Sequence, residues 1–530
     1  MNTVMMRYKI LITALLLIAF TGCEKDFDKI NRNPNAATEA ATSALLTQAI
    51  RDFAFADFDV WYAGRQSSLA SQHFAQRNYT SEDRYAFRTG VTDGFFRNNF
   101  IYMNNLQTII RLNTDPETKD SYASLYGDNN MQIAIAEIVK AWVFQLLTDY
   151  FGDIPYSQAL DIETYPQPVY DTQKAVYDGL IAKLNEAQTK LENSTTDGFA
   201  TGDVFFGGDL SKWIKLANSL RLRLALRASN ADPTYLTEAQ DAIADGVMES
   251  NDDNAMFRFS ASGTPNEAPW YNGFYVNGRN DFSFTAGFME LIKGNNNQAF
   301  VNPFLGLRDP RYPIFTSFTT DKLGVPYGMT EVLTQKWWST NSANRVSLYH
   351  RNPLILQANF PTTFLDYPTV CFMISEVEGW DATWFEEGIN ASLEHWAILA
   401  NAGDLDEGGA YVTEVMNRFN AATDEQKKEM VITQKYIHLL MQPHEAWAEY
   451  RRTGYPKSLV KPGDVTAIID GAEVVFTPST GAESGADVVA RFKYPTSEFT
   501  LNKANVEAAA ARMGEDSHKQ RVWWDGGGLQ

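Results

Sequence analysis

The strongest order in this chain is a repeat of apolar side chains every three and four residues. From about 131 to 150, Ile135, Ile138, Val139, Trp142, Val143, Leu146 and Leu147 form one unbroken stripe, which predicts a helix with a face in a core. Phe151-Gly152-Asp153-Ile154-Pro155 stops it with glycine and proline. Asp171 is placed to cap a second helix, striped by Val176, Leu180, Ile181, Leu184, Ala187 and Leu191. A third starts near Ser211 and carries Trp213, Leu216, Ala217, Leu220 and Leu224. A fourth opens at Asp232-Pro233, with proline at the first helical position, and ends at Gly246. An earlier helix begins near Ser43, and helical patterning returns over 367–378, 382–400 and 431–450. Helix pairs joined by short breaks predict helical-repeat packing, although no clean sequence period accompanies it.

The character changes between about 251 and 360. Pro265, Pro269, Gly273, Gly278, Pro303, Pro310, Pro313 and Pro326 fall here among asparagines and aromatics. Stretches this long without periodicity are usually functional loops or disordered linkers, and the aromatic content argues against disorder. Trp270-Tyr271, followed by Asn272-Gly273-Phe274-Tyr275, and the pair Trp337-Trp338 are the candidate ligand contacts. Flat aromatic faces stack on pyranose rings, and neighbouring amides bond hydroxyls; the same surface could grip peptide side chains or another protein. The competing expectation is that these rings staple long loops onto the helical body.

The N-terminus reads as an address. Arg7 and Lys9 precede an apolar run from Ile10 to Phe20, interrupted only by Thr13. About 20 apolar residues are needed to span a bilayer, so this run reads as a secretory leader covering 1–22. It ends in Phe20-Thr21-Gly22-Cys23, which resembles the bacterial lipobox, in which the cysteine thiol takes a diacylglycerol. Each buried CH₂ of such chains, palmitate for example, contributes about 0.8 kcal/mol, and two or more chains anchor stably. Cys23 would then be residue one of a protein that sits on a membrane without crossing it. Glu24, Asp26 and Asp28 follow at once and resemble the surface-export signal of lipoproteins displayed on the outer face of some Gram-negative cells.

Charge and cysteine usage narrow the classes further. A formal charge of -20 leaves no electrostatic footprint for a phosphate backbone, which excludes ordinary nucleic-acid binding. Two cysteines, Cys23 and Cys371, exclude a disulfide framework and a cysteine-based zinc or iron–sulfur site. No nucleophile elbow, P-loop, Rossmann glycine pattern or HExxH motif is present. His438, His444, Glu445 and Glu449 share one helical stretch without a third ligand at metal spacing, so they read as structural. Asparagine- and aspartate-rich loops offer oxygens to calcium, but no EF-hand supports that ion. With 65 acids some carboxylate pair is guaranteed, so a surface glycoside hydrolase stands only as a minor alternative.

Several segments are similar to one family in the same order along the chain. Asn31-Arg32-Asn33-Pro34-Asn35, Asp149-Tyr150-Phe151-Gly152-Asp153-Ile154-Pro155-Tyr156, and Ser211-Lys212-Trp213 leading into Arg221-Leu222-Arg223 resemble the SusD/RagB-like lipoproteins. So do Asp309-Pro310-Arg311, the run from Glu445 through Trp447 and Arg451 to Pro456, and Arg521-Val522-Trp523-Trp524-Asp525. The resemblance is to the subfamily described as starch-binding and outer-membrane associating. It implies a mainly α fold: a scaffold of TPR-like helix pairs with a loop-rich ligand-binding subdomain. The expected layout is a leader over 1–22, lipidated Cys23 with a tether to 42, and a scaffold over 43–250. A ligand face over 251–360 and a helical return over 361–530 complete it. The resemblance also implies a partner, a TonB-dependent SusC-like outer-membrane transporter, on which such lipoproteins sit as a lid. The implied role is to bind a nutrient, a glycan or oligosaccharide before a peptide, and deliver it to that transporter; no catalysis and no cofactor are implied. Sugar contacts differ between members, so no ligand residue is carried over.

Overall fold

The computed structural model describes residues 40–297, 300–351, 353–403, 405 and 408–526. Cys23 and the tether motif lie outside them. About 53% of the chain is helical, and the compact unit that begins at Thr42 is built from stacked helices. They are α1 (Thr42–Ala56), α2 (Thr89–Thr114), α3 (Asn129–Phe151), α4 (Gln173–Glu192), α5 (Leu210–Ala228) and α6 (Tyr235–Ala244). Each packs on the next in sequence, as expected of helix-pair repeats. In the middle of the chain lie α7 (Ala286–Lys293) and α8 (Glu331–Thr340). The return consists of α9 (Tyr367–Val377), α10 (Ala382–Ala400), α11 (Gly408–Ala421), α12 (Asp424–His438), α13 (Pro443–Thr453) and, near the end, α14 (Lys503–Arg512). Helix α9 joins the two halves by packing on α5, α10 and α12.

Strands are few and short, in four antiparallel pairs. Phe74–Gln76 (β1) pairs with Phe282–Phe284 (β5), and Ile154–Pro155 (β2) with Tyr170–Asp171 (β3). Ala255–Phe257 (β4) pairs with Thr362–Leu365 (β6), and Val465–Ile469 (β7) with Ala472–Val475 (β8). The β1–β5 pair ties the 251–360 region to the segment between α1 and α2, and the β4–β6 pair joins its start to the strand just after its end. That region is therefore ordered by its aromatics, and it also carries α7 and α8, which its sequence did not announce.

Helix α3 is the one helix among the described residues long and apolar enough to cross a membrane, yet 83% of that window is buried within the protein. It is the core helix. Two expected boundaries move. The cap of α4 is Thr172, whose hydroxyl accepts the Ala175 N–H, while Asp171 receives the N–H groups of Tyr156 and Ser157. The expected helix over 431–450 is two helices, because Pro443 starts α13 and Met441 before it takes a left-handed φ of 71°. Gly152 ends α3 at φ 82°, where a Cβ would lie 2.5 Å from the Met513 sulfur, so only glycine fits.

A buried ionic network joins these helices. The Arg227 guanidinium on α5 reaches Asp149 on α3 at 2.5 Å, and Glu445 and Glu449 on α13 at 2.5 and 3.3 Å. Glu449 also receives Lys435 of α12 at 3.0 Å and Arg452 at 2.8 Å. Burial would raise the Glu449 carboxyl, but Arg452, Lys435 and Arg227 hold it well below the usual range. Asp149 further accepts from Tyr177 of α4 at 2.5 Å and from the Trp524 indole at 2.8 Å. Removing one member of a buried ion pair costs about 3–5 kcal/mol, because the partner charge is left uncompensated. Arg227→Ala, which takes a shared cation from three carboxylates, should therefore lower the urea midpoint followed by circular dichroism through a loss of stability of that order. A midpoint within error of the parent chain would contradict this role.

Candidate functional site

The site grows out of the segment between α1 and α2. After α1 ends, the Asp59 carboxylate accepts the N–H groups of Trp61 at 2.8 Å and Tyr62 at 2.5 Å. This turn presents Trp61, which is 37% exposed. Burial pushes the Asp59 carboxyl up to about 7, against those two hydrogen bonds and nearby Arg65. Further along, Tyr79 is 42% exposed and takes a left-handed φ of 58°. Gln72 and Tyr85 do the same at 55° and 68°. Three such residues in one short segment store backbone strain, a cost of about 1–3 kcal/mol each that persists only where the surroundings enforce it.

A buried cation lies behind Trp61 and Tyr79. Arg65 is 2% exposed, and its guanidinium lies 5.0 Å from the Trp61 ring centroid and 5.5 Å from that of Tyr79. Both rings thus rest on one guanidinium from the inside, within cation–π range. Arg65 is fixed by the buried Glu82 at 2.5 Å, which also takes Arg88 at 2.6 Å and the Gln76 amide at 2.5 Å. Arg88 in turn lies 5.2 Å from the Tyr79 centroid. The outcome is two aromatic rings held rigidly, each with surface open to solvent.

The middle region abuts this face. A Cβ on Gly273 would meet Val60 at 2.4 Å, so this glycine lets the 269–276 segment lie directly against the residue before Trp61. Beyond it, Tyr271 and Tyr275 are 5.1 Å apart, and Tyr275 is 5.4 Å from Tyr349, itself 40% exposed. The Tyr275 hydroxyl donates to the Tyr349 carbonyl at 3.1 Å.

The four sequence candidates separate in space. Trp270 is 3% exposed, enclosed by Phe74, Phe274 and Phe282 at 4.6–5.8 Å; it is a core residue and offers no face to a ligand. Tyr271 is half-buried in the tyrosine strip. Trp337 and Trp338 stand on α8 and not on a loop, and adjacent helical residues point apart. Trp338 is buried, with Arg345 4.1 Å and Arg77 5.5 Å from its ring centroid. Trp337, half-buried, lines an open cleft of about 380 Å³ with Tyr327, Glu290, Asn296 and strand β7. The exposed rings of Trp61, Tyr79 and Tyr349 are not among the sequence candidates. The available signal was the aromatic doublet Trp61-Tyr62 and the Asn78-Tyr79 pair, in a segment that shows no helical stripe.

The polar residues weighed for chemistry are satisfied elsewhere. His438 sits between Ser392 at 2.8 Å and Asp366 at 2.9 Å. Burial alone would raise the Asp366 carboxyl, yet His438 and His395 hold it well below the usual range. Glu445 and Glu449 belong to the ionic network. Cys371 is fully buried, and burial pushes its thiol up. Among the described residues no three His, Cys, Asp or Glu side chains are grouped to hold a metal ion.

Comparison with solved structures shows the same architecture repeatedly. A chitin-binding protein aligns at TM-score 0.70 and 25% identity, over 91% of this chain and 99% of its own. A SusD homolog from Bacteroides uniformis aligns at TM-score 0.71 and 23% identity, over 92% and 99%. A chitin-binding SusD homolog from Flavobacterium johnsoniae aligns at 0.69 and 22%, over 91% and 98%. Comparison with curated protein sequences gives no significant match. The SusD-like family model described as "Starch-binding associating with outer membrane" matches residues 34–495, and this chain belongs to that family.

Proposed function

We propose that this protein is a surface-exposed outer-membrane lipoprotein that binds a glycan and passes it to a partner TonB-dependent SusC-like transporter. The observation that carries the binding step is the pair of exposed rings, Trp61 and Tyr79, backed by the buried Arg65. A ring immobilised before binding loses little entropy on stacking, so more of the contact energy appears as affinity. The tyrosine strip at Tyr271, Tyr275 and Tyr349 extends the platform, and Trp337 in its cleft is a second contact. Support for a sugar ligand comes from the family description and from the chitin-binding relatives. Anchoring rests on Cys23 and its lipobox-like context. The role is capture and delivery, not catalysis.

Affinity electrophoresis of the chain from residue 24 onward, in gels carrying single polysaccharides, tests the binding step. At least one polysaccharide should retard it, and Trp61→Ala or Tyr79→Ala should weaken that retardation about tenfold, the loss of roughly one stacked ring. Both variants should keep the parent melting temperature within a few degrees, because the rings are exposed. Loss on Trp337→Ala alone would move the site to the cleft beside β7. No retardation in any gel, with enrichment from a peptide mixture instead, would replace the glycan by a peptide. For delivery, detergent extraction of outer membranes should recover the full chain together with a large β-barrel; reproducible recovery of the chain alone would contradict the lid arrangement.

A further inference from the structure

The charge pattern beside the aromatic platform points to a ligand class narrower than glycan. In a chain of net charge -20, most arginines are expected to find carboxylates, and most of those in the core do, Arg451 bonding backbone carbonyls instead. Three on this face do not. Among the described residues, Arg77, Arg279 and Arg345 have no carboxylate within ion-pair distance, and all three are only partly buried. They form a row. The Arg279 guanidinium lies 5.8 Å from the Trp61 centroid. The next residue, Asn280, accepts a hydrogen bond from Arg77 at 2.7 Å. Arg77 and Arg345 then share the Trp338 ring, at 5.5 and 4.1 Å.

This grouping is unfavourable in the free protein. Burial lowers the Arg345 guanidinium below its usual range, and neighbouring Arg77 lowers it further. The Nε atoms of Arg77 and Arg345 are buried without a hydrogen-bond partner, and buried donors left unpaired cost about 1–3 kcal/mol. The nearby carboxylates do not compensate. Glu82 is already shared by Arg65 and Arg88, and the Asp281 side chain accepts from Asn78. Like charges held together beside an open aromatic face favour an anion arriving with the ligand, since guanidinium forks match planar carboxylates and sulfate oxygens.

We propose that the row Arg279–Arg77–Arg345 reads an anionic substituent, a uronate carboxylate or a sulfate ester, on a sugar whose ring stacks on Trp61 and Tyr79. This rests on the glycan reading above and narrows it to acidic polysaccharides. Arg279 is the specificity-determining residue, because it touches both the platform and solvent.

The test runs the parent chain and Arg279→Gln through four gels: polygalacturonate for carboxylate, carrageenan for sulfate, and starch and glycol chitin as neutral controls. The parent should be retarded in an acidic gel, and Arg279→Gln should weaken that retardation about tenfold, the value of one charge-assisted contact. Retardation should also fade as salt rises from about 50 to 300 mM, the range over which such contacts become screened. Whichever acidic gel responds identifies the substituent. Retardation in neutral gels only, or an unchanged acidic response in Arg279→Gln, overturns the anionic class and leaves the glycan reading standing. No retardation in any polysaccharide defeats both readings. A melting temperature equal to the parent's shows that the variant acts on binding and not on folding.

Discussion

The fold depends on one buried arrangement of charge, the Arg227 guanidinium among Asp149, Glu445 and Glu449. Four carboxylates, Asp149, Glu376, Glu445 and Glu449, meet four cations, Arg223, Arg227, Lys435 and Arg452, in buried or half-buried contacts. Such a cluster is stable only when every member is in place, because each desolvated charge relies on the others. It therefore fixes the angles between α3, α5, α12 and α13 more sharply than apolar packing alone, which tolerates exchange of one aliphatic shape for another. Arg451 adds the C-terminus to the same point. It lies 3.6 Å from the Trp447 ring centroid and 4.7 Å from that of Trp524, and donates to the carbonyls of Asp149 and Ala490.

That convergence explains what the family-like segments do. Asp149, Arg223, Glu445, Arg451 and Trp524 come from four stretches far apart in the chain and meet within this one cluster. Asp309-Pro310-Arg311 behaves similarly on a smaller scale: Arg311 is fully buried, bonded to Asp309, Ser392 and Gln434. None of these groups reaches the aromatic platform. The structure thus separates two tasks. A charged interior sets the scaffold, and the exposed aromatics of the proposed platform stand on loops at 57–88, 269–280 and 345–349 outside it.

The helices were legible because an amphipathic stripe is a local signal; α3, α5 and α10 fall where their periodicity places them. The split between α12 and α13 was hidden by apolar residues that continue through the break, although Pro443 marks it. The ligand face was only partly legible. Aromatic content drew attention to the middle region, but exposure is a tertiary property. Trp270 and Trp61 both precede a tyrosine, yet one is enclosed by three phenylalanines and the other stands on Arg65. No sequence pattern distinguishes them, because the deciding neighbours are Phe282 in one case and Glu82, by way of Arg65, in the other. The unpaired arginines were equally hidden, since the overall charge is strongly negative and their lack of partners is visible only in three dimensions.

In the proposed mode of binding, a ligand is gripped by the Trp61–Tyr79 platform while the charged interior stays unchanged. Amide hydrogen exchange with and without a polysaccharide that retards the protein tests it most directly. Added protection should be confined to residues 57–88 and 269–280, with α3, α5 and α13 exchanging equally slowly in both states. Protection confined to 323–337 and strand β7, with no change around Trp61, would contradict it.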